Sequence, residues 1–116
     1  MQVNKINNNY MSFEAQVSPH FNKVVQNFFN YGNYPNKRKN IYTFIKKSEE
    51  FEKFGHNDYI IDYEKQLKNG IPQHYLVALK ESKKVILAER DSLIRIIRKF
   101  LQMNKGEFNQ KIIKGK

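Results

Sequence analysis

The sequence contains no cysteine and no tryptophan, and it has only three prolines and five glycines among its 116 residues. Without cysteine there is no disulfide framework, no thiolate zinc site and no cysteine nucleophile. The same absence suits a reducing compartment, and we expect the protein in the cytoplasm. The sequence also lacks a glycine-rich phosphate loop and a Gly-x-Ser-x-Gly nucleophile elbow.

Long apolar runs are missing as well. No stretch approaches the roughly 18 apolar residues that a membrane-spanning helix needs. Residues 1–9 are polar and lack the apolar core of a signal peptide. We therefore expect no membrane contact. A chain of 116 residues that is 40% hydrophobic predicts one compact domain, with nine Phe and seven Tyr supplying much of the core.

Positive charge dominates, because 21 Lys and Arg outweigh 11 Asp and Glu to give a net charge of +10. Residues 41–90 are nearly neutral, with nine cations and eight acids, so the excess lies in residues 1–40 and 91–116. Such a charge attracts phosphate polyanions and acidic protein surfaces. A compositional bias toward Lys and Asn could explain part of the excess, so the position of the charge matters more than its sum.

Two segments have the apolar spacing of amphipathic helices. In the first, Ser18 is a typical N-cap and Pro19 occupies the first helical position. The second helix is predicted over residues 92–103, with Asp91 or Ser92 as its cap. The apolar residues of both helices are expected in the core.

Residues 31–40 are rich in turn formers and predict a loop. The β-branched and aromatic segment Ile41–Ile45 then predicts a strand. Ser48 followed by two glutamates predicts a short helix over residues 49–54 that ends at Gly55.

Three further strands form a predicted meander. Tyr59–Leu67 and Gln73–Lys80 flank Asn69-Gly70, a typical hairpin turn, and Val85–Ala88 follows. A two-residue loop would place Glu64 opposite Tyr75. A three-residue loop, Lys68-Asn69-Gly70, instead places Tyr63 opposite Tyr75 and gives one apolar face, so we expect the longer loop.

The predicted fold is therefore α+β: an N-terminal amphipathic helix, an antiparallel sheet of three to four strands with its hairpin at Asn69-Gly70, and a C-terminal helix packed on the sheet. A polar arm (residues 1–16) precedes the domain (17–104), and a basic flexible tail (105–116) follows it. The order of strands followed by a helix resembles single-stranded nucleic-acid binders of the Whirly and Pur-alpha kind. This resemblance is architectural and rests on no motif.

The leading hypothesis is a non-catalytic nucleic-acid-binding protein, either DNA-binding or RNA-binding, without cofactor or metal. Aromatic rings among cations suit a surface that stacks bases and neutralises phosphates. The candidate residues lie in the loop, on the outer face of the last helix and in the tail: Tyr31, Tyr34, Lys37, Arg38, Lys39, Arg95, Arg98, Lys99, Lys105, Lys111, Lys114 and Lys116.

Other hypotheses remain open. The protein could be a phage- or plasmid-type interaction protein that docks on an acidic protein surface, or a basic subunit of a ribonucleoprotein. The sheet could also close on a second copy to form a homodimer. A metal-independent, toxin-type ribonuclease is the only enzyme class that the sequence supports, and its first candidates are His56, His74, Tyr63 and Arg90.

Overall fold

The computed structural model describes residues 17–56 and 58–115. The predicted arm at residues 1–16 lies outside them. Along the described residues the elements are, in order, helices α1 (Pro19–Tyr31) and α2 (Lys37–Glu52), strands β1 (Ile60–Lys68), β2 (Ile71–Lys80) and β3 (Lys83–Arg90), and helices α3 (Leu93–Gln102) and α4 (Lys105–Lys114). The predicted α+β class is confirmed, as is a C-terminal helix that contacts the antiparallel sheet.

The sheet has the order β1-β2-β3, and each neighbouring pair is antiparallel. The predicted hairpin at Asn69-Gly70 is confirmed, but its predicted register is wrong, because Glu64 lies opposite Tyr75. Asn69 and Gly70 have φ angles of 54° and 80°. Two consecutive left-handed residues are typical of the two-residue type I′ turn, whose twist matches that of the strands.

The register prediction failed because β2 is apolar on both of its faces. Tyr63 lies opposite Leu76, which is fully buried beneath the helices. Its neighbour Val77 lies opposite Asp62 on the other side of the sheet and is also buried. An unbroken apolar run fits either register, so the turn geometry decides between them.

The starts of α1 and α3 confirm the predicted caps. The Ser18 hydroxyl accepts a hydrogen bond from the backbone N–H of Phe21 at 2.9 Å. The Ser92 hydroxyl accepts one from the backbone N–H of Arg95 at 3.4 Å, so Ser92 rather than Asp91 is the cap. Each cap satisfies one of the free N–H groups of the first helical turn.

Helix α2 replaces the predicted strand Ile41–Ile45 and the predicted short helix 49–54, and both of those predictions are wrong. Phe44 and Phe51 lie two helical turns apart and are both buried, so the helical period decided the structure over local composition. The hydroxyls of Thr43 and Ser48 each donate at 2.9 Å to the carbonyl four residues earlier, which accommodates them inside a helix.

Helix α4 replaces most of the predicted flexible tail. The Asn104 side chain caps it by accepting a hydrogen bond from the backbone N–H of Glu107 at 2.8 Å. Phe108 and Ile112, one turn apart, are fully buried. The prediction of a flexible tail is wrong for these residues because a single apolar stripe is enough to dock a short helix on an existing core.

An aromatic cluster joins the helices. The Phe100 ring of α3 lies 5.3 Å from that of Phe21 in α1, and 5.1 and 4.8 Å from those of Phe44 and Phe51 in α2, between centroids. Phe108 of α4 contacts Phe51 at 5.2 Å. Burial of one such ring contributes about 1.5–3 kcal/mol relative to exposure. The four helices therefore share one core.

The sheet has two unlike sides. On the covered side, residues such as Leu76 and Ala78 belong to the same buried cluster as the helical phenylalanines. On the open face, Ile60 and Ile86 are 47% and 49% exposed. Within the described part of the chain, the helices therefore cover only one side of the sheet.

A bulge interrupts β3. Val77 pairs with Ile86, whereas Leu76 pairs with Ala88, so Leu87 is an extra residue between them. Leu87 and Ala88 are both buried. From Ala88 to Arg90, each side chain therefore lies on the opposite side of the sheet from the one that regular alternation would give it.

Residue Val17 forms a parallel bridge to Ile61 at the free edge of β1. The Ser18 backbone N–H donates to the Ile61 carbonyl at 2.8 Å, and the Ser18 hydroxyl donates to Asp62 at 2.6 Å. The start of α1 is thus fixed against the sheet. Among the described helices, none is long and apolar enough to cross a membrane.

Candidate nucleic-acid interface

The cluster Lys37, Arg38 and Lys39 forms the first turn of α2 rather than a loop, and all three side chains are exposed. Asn36 precedes them in a left-handed conformation and makes no side-chain cap. No acid occupies this first turn. Cations at a helix N-terminus oppose the helix dipole, so the local structure gives no reason for their position.

The two candidate tyrosines differ in exposure. Tyr31 ends α1 and is 84% exposed, whereas Tyr34 is 38% exposed and its ring lies 5.1 Å from that of Phe28. Tyr31 is therefore open for stacking, and Tyr34 mainly covers the domain edge. The sequence reasoning missed Tyr42, which is 62% exposed and follows Arg38 by one turn of α2. Helical spacing would have identified it if the segment had been predicted as a helix.

On α3, the predicted outer face is exposed only in part. Arg95 and Arg98 are exposed, and Arg95 lies 3.5 Å from Asp91 in an ion pair between exposed groups. Lys99 instead forms an ion pair with Glu107 of α4, and both side chains are mostly covered. Lys99 therefore ties two helices together.

The predicted tail lysines belong to α4. Lys105 and Lys114 are exposed and Lys111 is half-buried, while Lys116 lies outside the described residues. Lys111 and Lys114 occupy the last turn, where a cation suits the helix dipole. A purely structural role thus explains these two lysines better than it explains the cluster on α2.

The helices and the open face differ in how many of their cations lack an ion pair. On the open face, Lys84 lies 2.8 Å from Glu64 and Lys68 lies 3.9 Å from Glu89. Several helical cations, by contrast, make no ion pair with any described residue. Seven of them are candidate residues from the sequence, and we call these seven the helical cations: Lys37, Arg38, Lys39, Arg98, Lys105, Lys111 and Lys114.

Three of the four ribonuclease candidates lie near one another on the covered side. The Tyr63 hydroxyl is 2.6 Å from His74 Nδ1, and Arg90 lies opposite His74 on β3. Sequence reasoning missed His20 of α1, whose ring stacks on Tyr63 with 6.3 Å between centroids.

The fourth ribonuclease candidate, His56, is not part of that group. Its ring lies 6.3 Å from Tyr59, beside the start of β1, and 6.0 Å from Phe108. No group of three or more potential metal ligands occurs among the described residues. Ribonuclease action stays a prediction.

The environment of His74 shifts its pKa. Burial and the nearby Lys65 ammonium lower the pKa of His74 below its usual value, although Asp91 acts in the opposite direction. Burial also raises the pKa of the Tyr63 hydroxyl. When the Tyr63 hydroxyl donates to Nδ1 of the imidazole, the ring proton is on Nε2, which is then free to donate to a ligand.

Comparison of the chain with protein-family models, with curated proteins and with solved structures found no match.

Proposed function

We propose that this protein is a non-catalytic nucleic-acid-binding protein, in which the helical cations contact backbone phosphates and Tyr31 or Tyr42 stacks on a base. We also propose the cytoplasm as its compartment, since a chain without cysteine suits reducing conditions. Phosphate contacts of this kind position a nucleic acid without reading its sequence.

The observation that carries the proposal is the unpaired state of the helical cations. The fold neutralises lysines on the open face with Glu64 and Glu89, yet supplies no described acid to Lys37, Arg38 or Lys39. Three adjacent cations repel one another and oppose the helix dipole. A polyanion would relieve both penalties, and release of its counterions would favour binding.

The test is the salt dependence of binding to fluorescently labelled single- and double-stranded oligonucleotides. We expect the logarithm of the binding constant to fall linearly with the logarithm of the salt concentration between about 50 and 200 mM, with a slope of about −0.7 to −0.9 for each phosphate neutralised. Affinity that does not change with salt would contradict phosphate contacts.

A matched pair of variants locates the surface. Lys37→Gln with Lys39→Gln, and Lys68→Gln with Lys84→Gln, each remove two positive charges. We expect the first pair to weaken binding about tenfold and to reduce the salt slope by 1 to 2, approximately. The second pair should change affinity by less than about twofold, since those lysines already face acids. Equal losses would mean that net charge alone drives binding.

A second candidate function is protein docking, and the open face favours it. Ile60 and Ile86 are exposed there beside Leu79 and Tyr75, which are half-buried. This face could meet a second copy of the chain to form a homodimer, while the helical cations engage an acidic protein. Pull-down from a native lysate with and without nuclease separates the candidates. A protein retained after nuclease favours docking, and light scattering of the purified protein tests the dimer.

A further inference from the structure

A row of three nitrogen-bearing side chains crosses the sheet on its covered side. His74 of β2 lies opposite Lys65 of β1 and opposite Arg90 of β3. Residues directly opposite one another share a face, so all three side chains leave the sheet on the same side. Neighbouring strands are about 4.8 Å apart, which places Lys65 and Arg90 about 10 Å from each other across His74.

The row lies where the helices leave the sheet uncovered. The next residues toward the core, Tyr63 and Leu76, are buried, whereas Lys65 is exposed and His74 and Arg90 are half-buried. The row is thus open to solvent on one side and bounded by the core on the other.

Contacts with Tyr63 hold the His74 ring in one orientation. The Tyr63 hydroxyl lies 2.6 Å from Nδ1, and the two rings stack with 5.8 Å between centroids. Nδ1 is therefore occupied, and Nε2 is the ring nitrogen left to meet a ligand. With the ammonium of Lys65 and the guanidinium of Arg90, the row presents donors only.

No described acid lies within ion-pair distance of the row, although Asp91 acts on His74 from farther away. Lys65 and Arg90 make no ion pair with any described residue, and Arg90 Nη1 donates only to the Glu89 carbonyl at 2.8 Å. Asp91 itself forms an ion pair with Arg95 at 3.5 Å. Lys65 and Arg90 are like charges about 10 Å apart on either side of His74, so an anion placed between them would be attracted by both.

The row also continues into the surface proposed above. Arg90 ends β3 three residues before α3 begins at Leu93, and α3 carries the exposed Arg95 and Arg98. A polymer with regularly spaced phosphates could therefore contact the row and α3 in succession.

We propose that Lys65, His74 and Arg90 form a phosphate-binding site that takes one backbone phosphate of the bound nucleic acid. Lys65 and Arg90 supply charge, Arg90 can grip two oxygens at once, and His74 donates from Nε2. Tyr63 is a positioning residue that fixes the imidazole. The inference deepens the proposed function and rests on it for the identity of the ligand.

The experiment follows the imidazole resonances of the full-length protein by NMR during titration with inorganic phosphate. Three histidines must be distinguished, and His74→Gln assigns the relevant signals by their loss. We expect saturable shifts confined to His74 and to His20, which stacks on the same tyrosine. Lys65→Gln should weaken the phosphate affinity by about fivefold to tenfold, as expected for one charge-assisted contact.

Lys83→Gln is the matched control. Lys83 is also an exposed sheet lysine without a described ion pair, but it lies at the other end of β3. It should leave the titration unchanged. Absence of a saturable His74 shift, or equal weakening by both variants, would overturn the site.

Titration with a short oligonucleotide separates this inference from the proposed function. Shifts of His74 by both phosphate and oligonucleotide support the site and its ligand. Salt-dependent oligonucleotide binding without any His74 shift would overturn the site and leave the proposed function standing. Phosphate shifts without oligonucleotide binding would overturn the backbone assignment and the proposed function together.

Discussion

The two sides of the sheet differ in how completely their cations are paired, because the ion pairs on the helices leave several cations without an acid. On the open face each lysine has an acid beside it, as Lys84 has Glu64 and Lys68 has Glu89. On the side of the helices, Lys37, Arg38 and Lys39 have no described acid. The net charge of +10 therefore describes neither side well. The difference teaches that the arrangement of charge, more than its total, points to a binding surface.

The largest expected difference between the two sides is in stability. Phe100→Ala should lower the free energy of unfolding by about 3–5 kcal/mol, because its ring joins α1, α2 and α3. Ile86→Ala on the open face should cost less than about 1.5 kcal/mol, since Ile86 is half exposed. Urea unfolding curves measure both values. A large loss from Ile86→Ala would show that a partner or a second copy covers the open face.

A smaller effect is expected within the covered side, from two buried tyrosines. The Tyr63 hydroxyl is hydrogen-bonded to His74, whereas the Tyr59 hydroxyl is buried and has no hydrogen-bond partner among the described residues. Tyr63→Phe should therefore lower stability by about 1 kcal/mol, and Tyr59→Phe should leave stability unchanged or raise it. The same urea curves compare them. Equal losses would indicate that Tyr59 has a partner among the residues that the structure does not describe.

The smallest effect concerns nucleic-acid binding by the open face. Glu64→Gln with Glu89→Gln frees Lys84 and Lys68, which makes the open face resemble the helices. We expect oligonucleotide affinity at low salt to rise about threefold. Glu52→Gln with Glu81→Gln changes the net charge equally but removes exposed acids that form no described ion pair. An equal gain in that control would mean that ion pairing does not separate the two sides.

Sequence reasoning identified the elements that carry local signals. Ser18 and Ser92 mark helix starts because a capping hydroxyl is a short-range interaction, and Asn69-Gly70 marks a hairpin because few residues accept its backbone angles. Helix α2 was not predicted because the composition around Ile41 favours a strand. The segment is helical because Phe44 and Phe51 contact the other helices.

The sequence identified candidate residues of the interface, but it did not predict the elements on which they lie. Lys37 and its neighbours were identified by charge, yet they lie on a helix, and Lys99 is occupied by Glu107. The row at His74 could not be foreseen, because its members are brought together by pairing across three strands. That pairing depends on a register that the apolar pattern of β2 leaves open.

The bulge at Leu87 determines on which side of the sheet the charged residues Glu89 and Arg90 lie. Strand β3 ends in Glu89-Arg90, and regular pairing beyond Val77 would place Glu89 opposite His74 and turn Arg90 to the open face. The extra residue reverses this, so that Glu89 meets Lys68 and Arg90 joins Lys65 and His74. A single inserted residue in the hydrophobic layer thus determines the electrostatic sign of a surface several residues away. A change in strand length here would therefore exchange the charged residues between the two sides of the sheet.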